Sequence, residues 1–285
     1  MVGLSSVSGI GVSDFIQIGD ALAPAARMAG WGATEADWPR FLTAGVLVLV
    51  RMSGLMVFAP VFSSAAISPR VKAGFVIAVT ALLAPVVGVL PNARLTLDMS
   101  ALLGELGVGL TFGFALSLMN EALIFAGQML GMQFSFSLVN LMDPNSMIET
   151  PVLGTLLGWM GILVLLNAGL HRSLLAALMR SFAVVPVGEA VMKASTGVAL
   201  TAMVGGVFMA GLQLAAPVVA AALTVEIVVS LVGKMSPQLP VMVVSIPLKT
   251  LMSYAVLIGA LAVWPAWIER HFTALLDSAM KLVAS

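Results

Sequence analysis

Cysteine is absent from the chain, which excludes disulfides, thiolate metal sites and cysteine nucleophiles. Histidine is nearly absent. Only His171 and His271 could offer imidazole, too few for a metal cluster without carboxylate help. Charge is scarce as well: 9% of the 285 residues are charged and 60% are hydrophobic, against the roughly 25% charged of soluble domains. The chain is expected to be an integral membrane protein. Its 13 basic and 13 acidic residues cancel, so bulk electrostatics suggest neither a nucleic-acid partner nor an acidic ligand. HExxH, GxSxG and the P-loop GxxxxGK[ST] are missing too. No catalytic residue, cofactor or metal is therefore expected, and any energy input must come from a gradient or from other proteins. No basic residue precedes Arg27, so MVGLSSVSGIGVSDF lacks the charged start and continuous apolar core of a signal peptide. Residues 1–37 are expected to form an N-terminal extension, weakly ordered or interfacial.

What the sequence does have is long apolar windows, near 41–62, 70–90, 99–132, 151–170, 174–187, 197–233 and 240–265. A 22-residue helix rises about 33 Å, enough for a hydrocarbon core of roughly 30 Å. The windows are rich in Leu, Ala and Met and show no sustained two-residue alternation, which selects helix over strand. Short polar breaks separate them at 91–98, 142–149, 186–196 and 234–240. The expected fold is all-α, a multi-pass membrane protein of helical hairpins, with a helical membrane domain over 38–270 and an amphipathic C-terminal tail over 271–285. The 99–132 stretch is too long for one untilted span and predicts a bend or an excursion beyond the bilayer. Basic residues flank several spans on no consistent side, so charge placement does not fix the orientation.

Arg51, Glu105, Glu121, Glu226 and Lys249 stand in apolar surroundings. A charge at a helix centre costs roughly 2.5–3.5 kcal/mol to insert, so each needs compensation. Interhelical or intersubunit pairing supplies it, and so does a polar pathway or proton relay. Glycines at four-residue spacing occur in GLTFG (109–113), GQMLG (127–131) and GTLLG (154–158), and allow close approach of helix backbones. The 19 methionines suit irregular packing surfaces and also a pore constriction.

The stretch FSFSLVNLMDPNSMIETP (134–151) breaks the apolar pattern at mid-chain. Pro144 removes an amide donor and disfavours helix at Asp143, while Asp143, Asn145 and Ser146 can close a turn through their side chains. The result is a loop of about 17 residues, long for a helical hairpin. An ordinary hairpin turn and a gate both fit. Irregular backbone at membrane depth is tolerated only where protein or a water-filled cavity surrounds it. A secondary transporter, a channel and a structural subunit of a larger membrane machine all remain open at this point.

Four blocks in order then resemble the FliR-like export-gate family of flagellar and virulence-associated type III secretion. The first is RMSGLMVFAPVFSSAAISPRVKAGFVIAVTALLAP (51–85). Another runs from Glu121 through AGQMLGMQFSFSLVNLMDPNSMIETPVL. His171, then Ser181-Phe182 and Pro186, make the third, and SPQLPVMVVSIPLK (236–249) the last. Together they cover about 38–265. Ser135 stands where a glycine is usual in the family, and Gly169-Leu170 replaces an asparagine-glycine pair.

The resemblance implies a non-enzymatic, single-copy subunit of a helical, pore-forming export gate in the bacterial inner membrane, at the flagellar basal body. FliP-like and FliQ-like subunits would be its companions, with FlhB-like and FlhA-like proteins nearby, membrane lipid around it and unfolded secreted proteins as cargo; no nucleic acid is implied. It also implies that much of the assembly is raised out of the lipid plane, and that the loop at 134–150 plugs the pore. Phe134, Phe136, Leu138, Leu141 and Met142 would seal it. Ser135 and Ser137 lie between the sealing aromatics, and Asp143, Pro144, Asn145 and Ser146 would fix the turn. The other readings are an autonomous channel or secondary transporter, using Glu121 or Glu226 at a broken helix, and the equivalent subunit of a virulence injectisome.

Overall fold

A computed structural model describes residues 38–59, 68–88, 90, 93–134, 152–190, 194–236, 238 and 241–284. Among the described residues every regular element is helical, as the long Leu-, Ala- and Met-rich windows require: α1 (Trp38–Phe58), α2 (Pro69–Val87), α3 (Met99–Gln133), α4 (Val152–Asn167), α5 (Leu170–Val184), α6 (Ala194–Met235), α7 (Val241–Leu261) and α8 (Trp264–Ala284). Five of them, α1, α2, α3, α6 and α7, are long and apolar enough to cross a membrane; α4 and α5 together make a sixth if they count as one broken span. The chain is an all-α, multi-pass membrane protein.

Local chemistry sets the ends of these helices. Pro69 opens α2 at a position where its missing N–H is no loss, and Ser68 before it is extended at φ −62° and ψ 144°. At the far end of α2 the Gly88 N–H bonds back to the Ala84 carbonyl at 2.9 Å. Between α4 and α5 the chain turns through Gly169 at φ 71°, a left-handed conformation that a Cβ would strain. The window near 99–132 folds as one uninterrupted 35-residue helix, α3, with no break. At 1.5 Å per residue it is about 52 Å long, well beyond a hydrocarbon core of roughly 30 Å. Helix α6 is longer still, 42 residues or about 63 Å, and passes through Pro217 without ending.

Two compact units share the chain. One comprises the described residues up to Ser117, Gly169–Leu200 and the chain from Leu275 onward. Helices α1 and α2 pack on each other here, with Leu47, Val48, Met52, Leu55, Phe112 and Leu116 in its core. The other comprises Leu118–Ala168 and Thr201–Ala274, with Leu123, Leu130, Leu214 and Ile268 fully or almost fully buried. Helix α8 starts at Trp264 and runs unbroken past residue 270. Its Trp264, Ile268, Phe272, Leu276 and Ala279 recur every three or four positions, and all are buried.

Candidate functional site, a buried charge cluster and the helix crossings around it

Helix α1 delivers Arg51 to the interior of the first unit, where its side chain is 0% exposed. So large a cation is tolerated only if its nitrogens find acceptors. All three do. Its Nε donates to Glu105 Oε2 of α3 at 2.5 Å, Nη1 to Ser181 Oγ of α5 at 3.1 Å, and Nη2 to the Val185 carbonyl at 3.1 Å. The guanidinium also lies over the Phe182 ring, 4.2 Å from its centroid, a cation–π contact. Glu105, also 0% exposed, accepts from the Gly188 N–H on its other oxygen, Oε1, at 2.9 Å. Ser181 in turn donates to the Leu178 carbonyl at 2.6 Å, so the cluster leaves neither the hydroxyl nor the carboxylate unused.

Glycines let the helices come close enough for this pairing. A Cβ on Gly109 would lie 2.0 Å from the Arg51 carbonyl oxygen, one on Gly113 2.5 Å from that of Leu55, and one on Gly54 2.7 Å from that of Leu106. So the GLTFG pair of α3 is the face on which α1 rests, and Gly54 answers it from the other side. Gly188, at φ 82°, turns the connection after α5 so that its N–H reaches Glu105; a Cβ there would sit 2.0 Å from the Arg94 carbonyl oxygen. Beside this connection opens a cleft of about 530 Å³, lined by Gly104, Gly188 and the exposed Arg94–Glu189 pair at 3.1 Å among others.

In the second unit Lys249 of α7 donates to Glu226 Oε1 of α6; the lysine side chain is 16% exposed and the glutamate 44%. Gly127 of α3 meets Gly154 of α4 backbone to backbone, whereas a Cβ on Gly131 would meet nothing within 4 Å. Glu121 stands exposed on α3, apart from both charge pairs. Among the described residues His171 keeps a buried Nδ1 without a hydrogen-bond partner, and no cluster of three metal-ligating side chains occurs.

Of the loop residues, Phe134 alone is described. It is 5% exposed, its N–H bonds to the Leu130 carbonyl at 3.1 Å, and its ring lies 4.3 Å from that of Tyr254 on α7. Ser135, Phe136, Ser137, Leu138, Leu141, Met142, Asp143, Pro144, Asn145 and Ser146 lie outside the described residues.

Sequence reasoning singled out Arg51 and Glu105 but not their partners Ser181, Val185 and Gly188. A signal was present. Arg51 opens the first of the four blocks, and Ser181-Phe182 belongs to the third; the fold brings these two blocks into one cluster, with Glu105 from outside all of them.

Comparison with known proteins points to one family. Residues 42–275 match the family described as Bacterial export proteins, family 1. The flagellar biosynthetic protein FliR of Escherichia coli is 26% identical over 245 residues, 84% of this chain and 92% of that protein. Its counterparts in Bacillus subtilis and Caulobacter vibrioides are each 27% identical, over 87% and 79% of this chain and 95% and 91% of their own lengths. With the family model matching residues 42–275 and flagellar FliR proteins similar across most of the chain, it belongs to the bacterial export proteins, family 1, as a FliR-like member.

Proposed function

We infer that this chain is a membrane-embedded, non-enzymatic subunit of a flagellar type III export apparatus, and that it helps to form and gate the inner-membrane channel for unfolded flagellar proteins. The observation that carries the reading is the family match over residues 42–275, together with similarity to flagellar FliR proteins across nearly their whole lengths. FliP-like and FliQ-like subunits are its immediate partners in this reading, and FlhB-like and FlhA-like proteins complete the apparatus. Membrane-length helices, two of them far longer than a bilayer is thick, support a subunit that lies partly in lipid and partly among other proteins.

In this reading the gate is the loop after Phe134. Phe134, Phe136, Leu138, Leu141 and Met142 supply its apolar seal, and Asp143–Ser146 its turn. Phe134, buried against Tyr254, is where the loop is rooted on a helix. Deleting several residues within 135–146 and measuring ion leak across the inner membrane tests the idea. A raised leak with the complex still assembled is expected; an unchanged permeability barrier in the assembled complex overturns the gate.

A further inference from the structure

Helix α6 exposes large apolar side chains along nearly its whole length, from Val198 and Phe208 at one end to Leu231 and Met235 at the other. Val198 and Met235 are 37 positions apart, about 56 Å at 1.5 Å per residue. A hydrocarbon core of roughly 30 Å covers that distance only at a tilt near 58°, beyond the 0–40° range of membrane helices. Part of this apolar surface must therefore be covered by something other than lipid chains.

Charge decides which part. From Val198 to Leu223 the helix carries no ionisable residue, and this stretch of about 38 Å suits the bilayer. The last three turns do not. There Leu223, Glu226, Ile227, Ser230, Leu231 and Lys234 line one crevice of about 260 Å³. Leu223, Ile227 and Leu231 are 49%, 61% and 56% exposed, so water is a poor neighbour for this face. Glu226 gives only Oε1 to Lys249 and remains 44% exposed, so hydrocarbon is a poor neighbour too.

The geometry points to this face of α6 as the seat of a helix from another protein, apolar along the crevice, with a basic residue opposite Glu226 and an acidic residue opposite Lys234. Eight positions separate the two charges, about 12 Å, so the incoming helix presents its own pair two turns apart. Ser230, midway, lets the backbones approach. A second copy of this chain could match the pattern only by lying antiparallel, since Glu226 must meet the other copy's Lys234. That requires two opposite membrane orientations of one protein, so the occupant is a different chain. The inference rests on the membrane-subunit reading above and is independent of the gate.

The natural absence of cysteine gives a clean test. Ile227→Cys and Leu231→Cys, each alone, are spin-labelled in nanodiscs drawn from cells carrying the complete export gene set, and again with the chain expressed alone. Collisions with oxygen report lipid, and collisions with a nickel chelate report water. Both are expected to be low in the complete set, and at least one to rise several-fold in the chain alone. Adding Lys234→Glu to Leu231→Cys should raise accessibility several-fold in the complete set, because two acidic groups would then face each other; Lys234→Gln should raise it less. A Val204→Cys label, in the charge-free stretch, should keep its lipid signal throughout and so reports that the variants are folded. High oxygen accessibility at 227 and 231 in the complete set would give the face to lipid, and high nickel accessibility would give it to water. Spin–spin coupling between labels would give it to a second copy. Each of these results overturns the proposal. A failed leak assay on the loop would refute the gate and leave these accessibilities as they are.

Discussion

At the scale of single residues, the Arg51–Glu105 pair stands on its hydrogen bonds, with a partner for each guanidinium nitrogen and each carboxylate oxygen. Burying either charge alone is costly, and breaking one partner of a buried pair typically costs about 3–5 kcal/mol, while replacing both with apolar residues is often neutral. Glu105→Leu should therefore lower the melting temperature in detergent far more than the double change Arg51→Met with Glu105→Leu, which leaves no orphaned guanidinium. If the double variant melted as low as the sum of both single losses, the cluster would be something other than a compensated pair. The crossings around it give a second prediction. Gly109→Ala drives a methyl to 2.0 Å from the Arg51 carbonyl oxygen, backbone against backbone, and should cost roughly 1–3 kcal/mol. At Gly205 of α6 a methyl meets nothing within 4 Å, and alanine there should be neutral or gain up to about 1 kcal/mol of helix propensity. Equal melting temperatures for the two variants would refute the close crossing.

Among the elements, α8 makes the sharpest prediction. Phe272 is 1% exposed on a face shared with Trp264, Ile268 and Leu276, so Phe272→Ala should cost about 3–5 kcal/mol, read as loss of protease resistance in the C-terminal region. Beside it His271 stacks on Trp267, with centroids 4.6 Å apart and planes 12° apart. Burial of the imidazole holds its pKa below the ordinary 6.5. The neutral form is thus favoured in the fold. Its stabilisation is complete above pH 6.5 and is lost as pH falls through the lowered pKa, because the unfolded chain takes up the proton first. Melting temperature should drop on acidification below pH 6.5 in the native chain, and drop less in His271→Phe; parallel curves for the two would exclude His271 as the source. Membrane-length apolarity made α1, α2, α3, α6 and α7 legible in the sequence. Helix α8 was less so, because Glu269, Arg270, Asp277 and Lys281 dilute its hydropathy, although the four-residue recurrence of Trp264, Ile268, Phe272 and Leu276 was there to be read. The charge cluster was half legible. Composition marks Arg51 and Glu105 as costly and GLTFG marks the close crossing beside them, but Ser181 lies 130 positions away from Arg51, and no local pattern specifies that pairing.

For the whole molecule, burial is uneven in a way that a lone chain does not explain. The most apolar part of α3 is 67% buried, whereas that of α6 is 28% and that of α7 only 6%. Lipid readily accounts for α7, whose 21 residues are close to one bilayer thickness. It does not account for α6, twice that length and apolar throughout. A chain whose longest helix needs protein as well as lipid around it should be unstable without its companions, since the uncovered segment then faces water at roughly 25 cal/mol per Å². Pulse-chase half-life in membranes makes this measurable. With the FliP-like and FliQ-like subunits co-expressed, the chain should persist several-fold longer than when it is expressed alone, and it should co-purify with both in mild detergent. An autonomous transporter behaves in the opposite way, equally long-lived and monodisperse with or without them. Equal half-lives would therefore remove the assembly reading and leave the uncovered apolar surface of α6 to be explained by self-association.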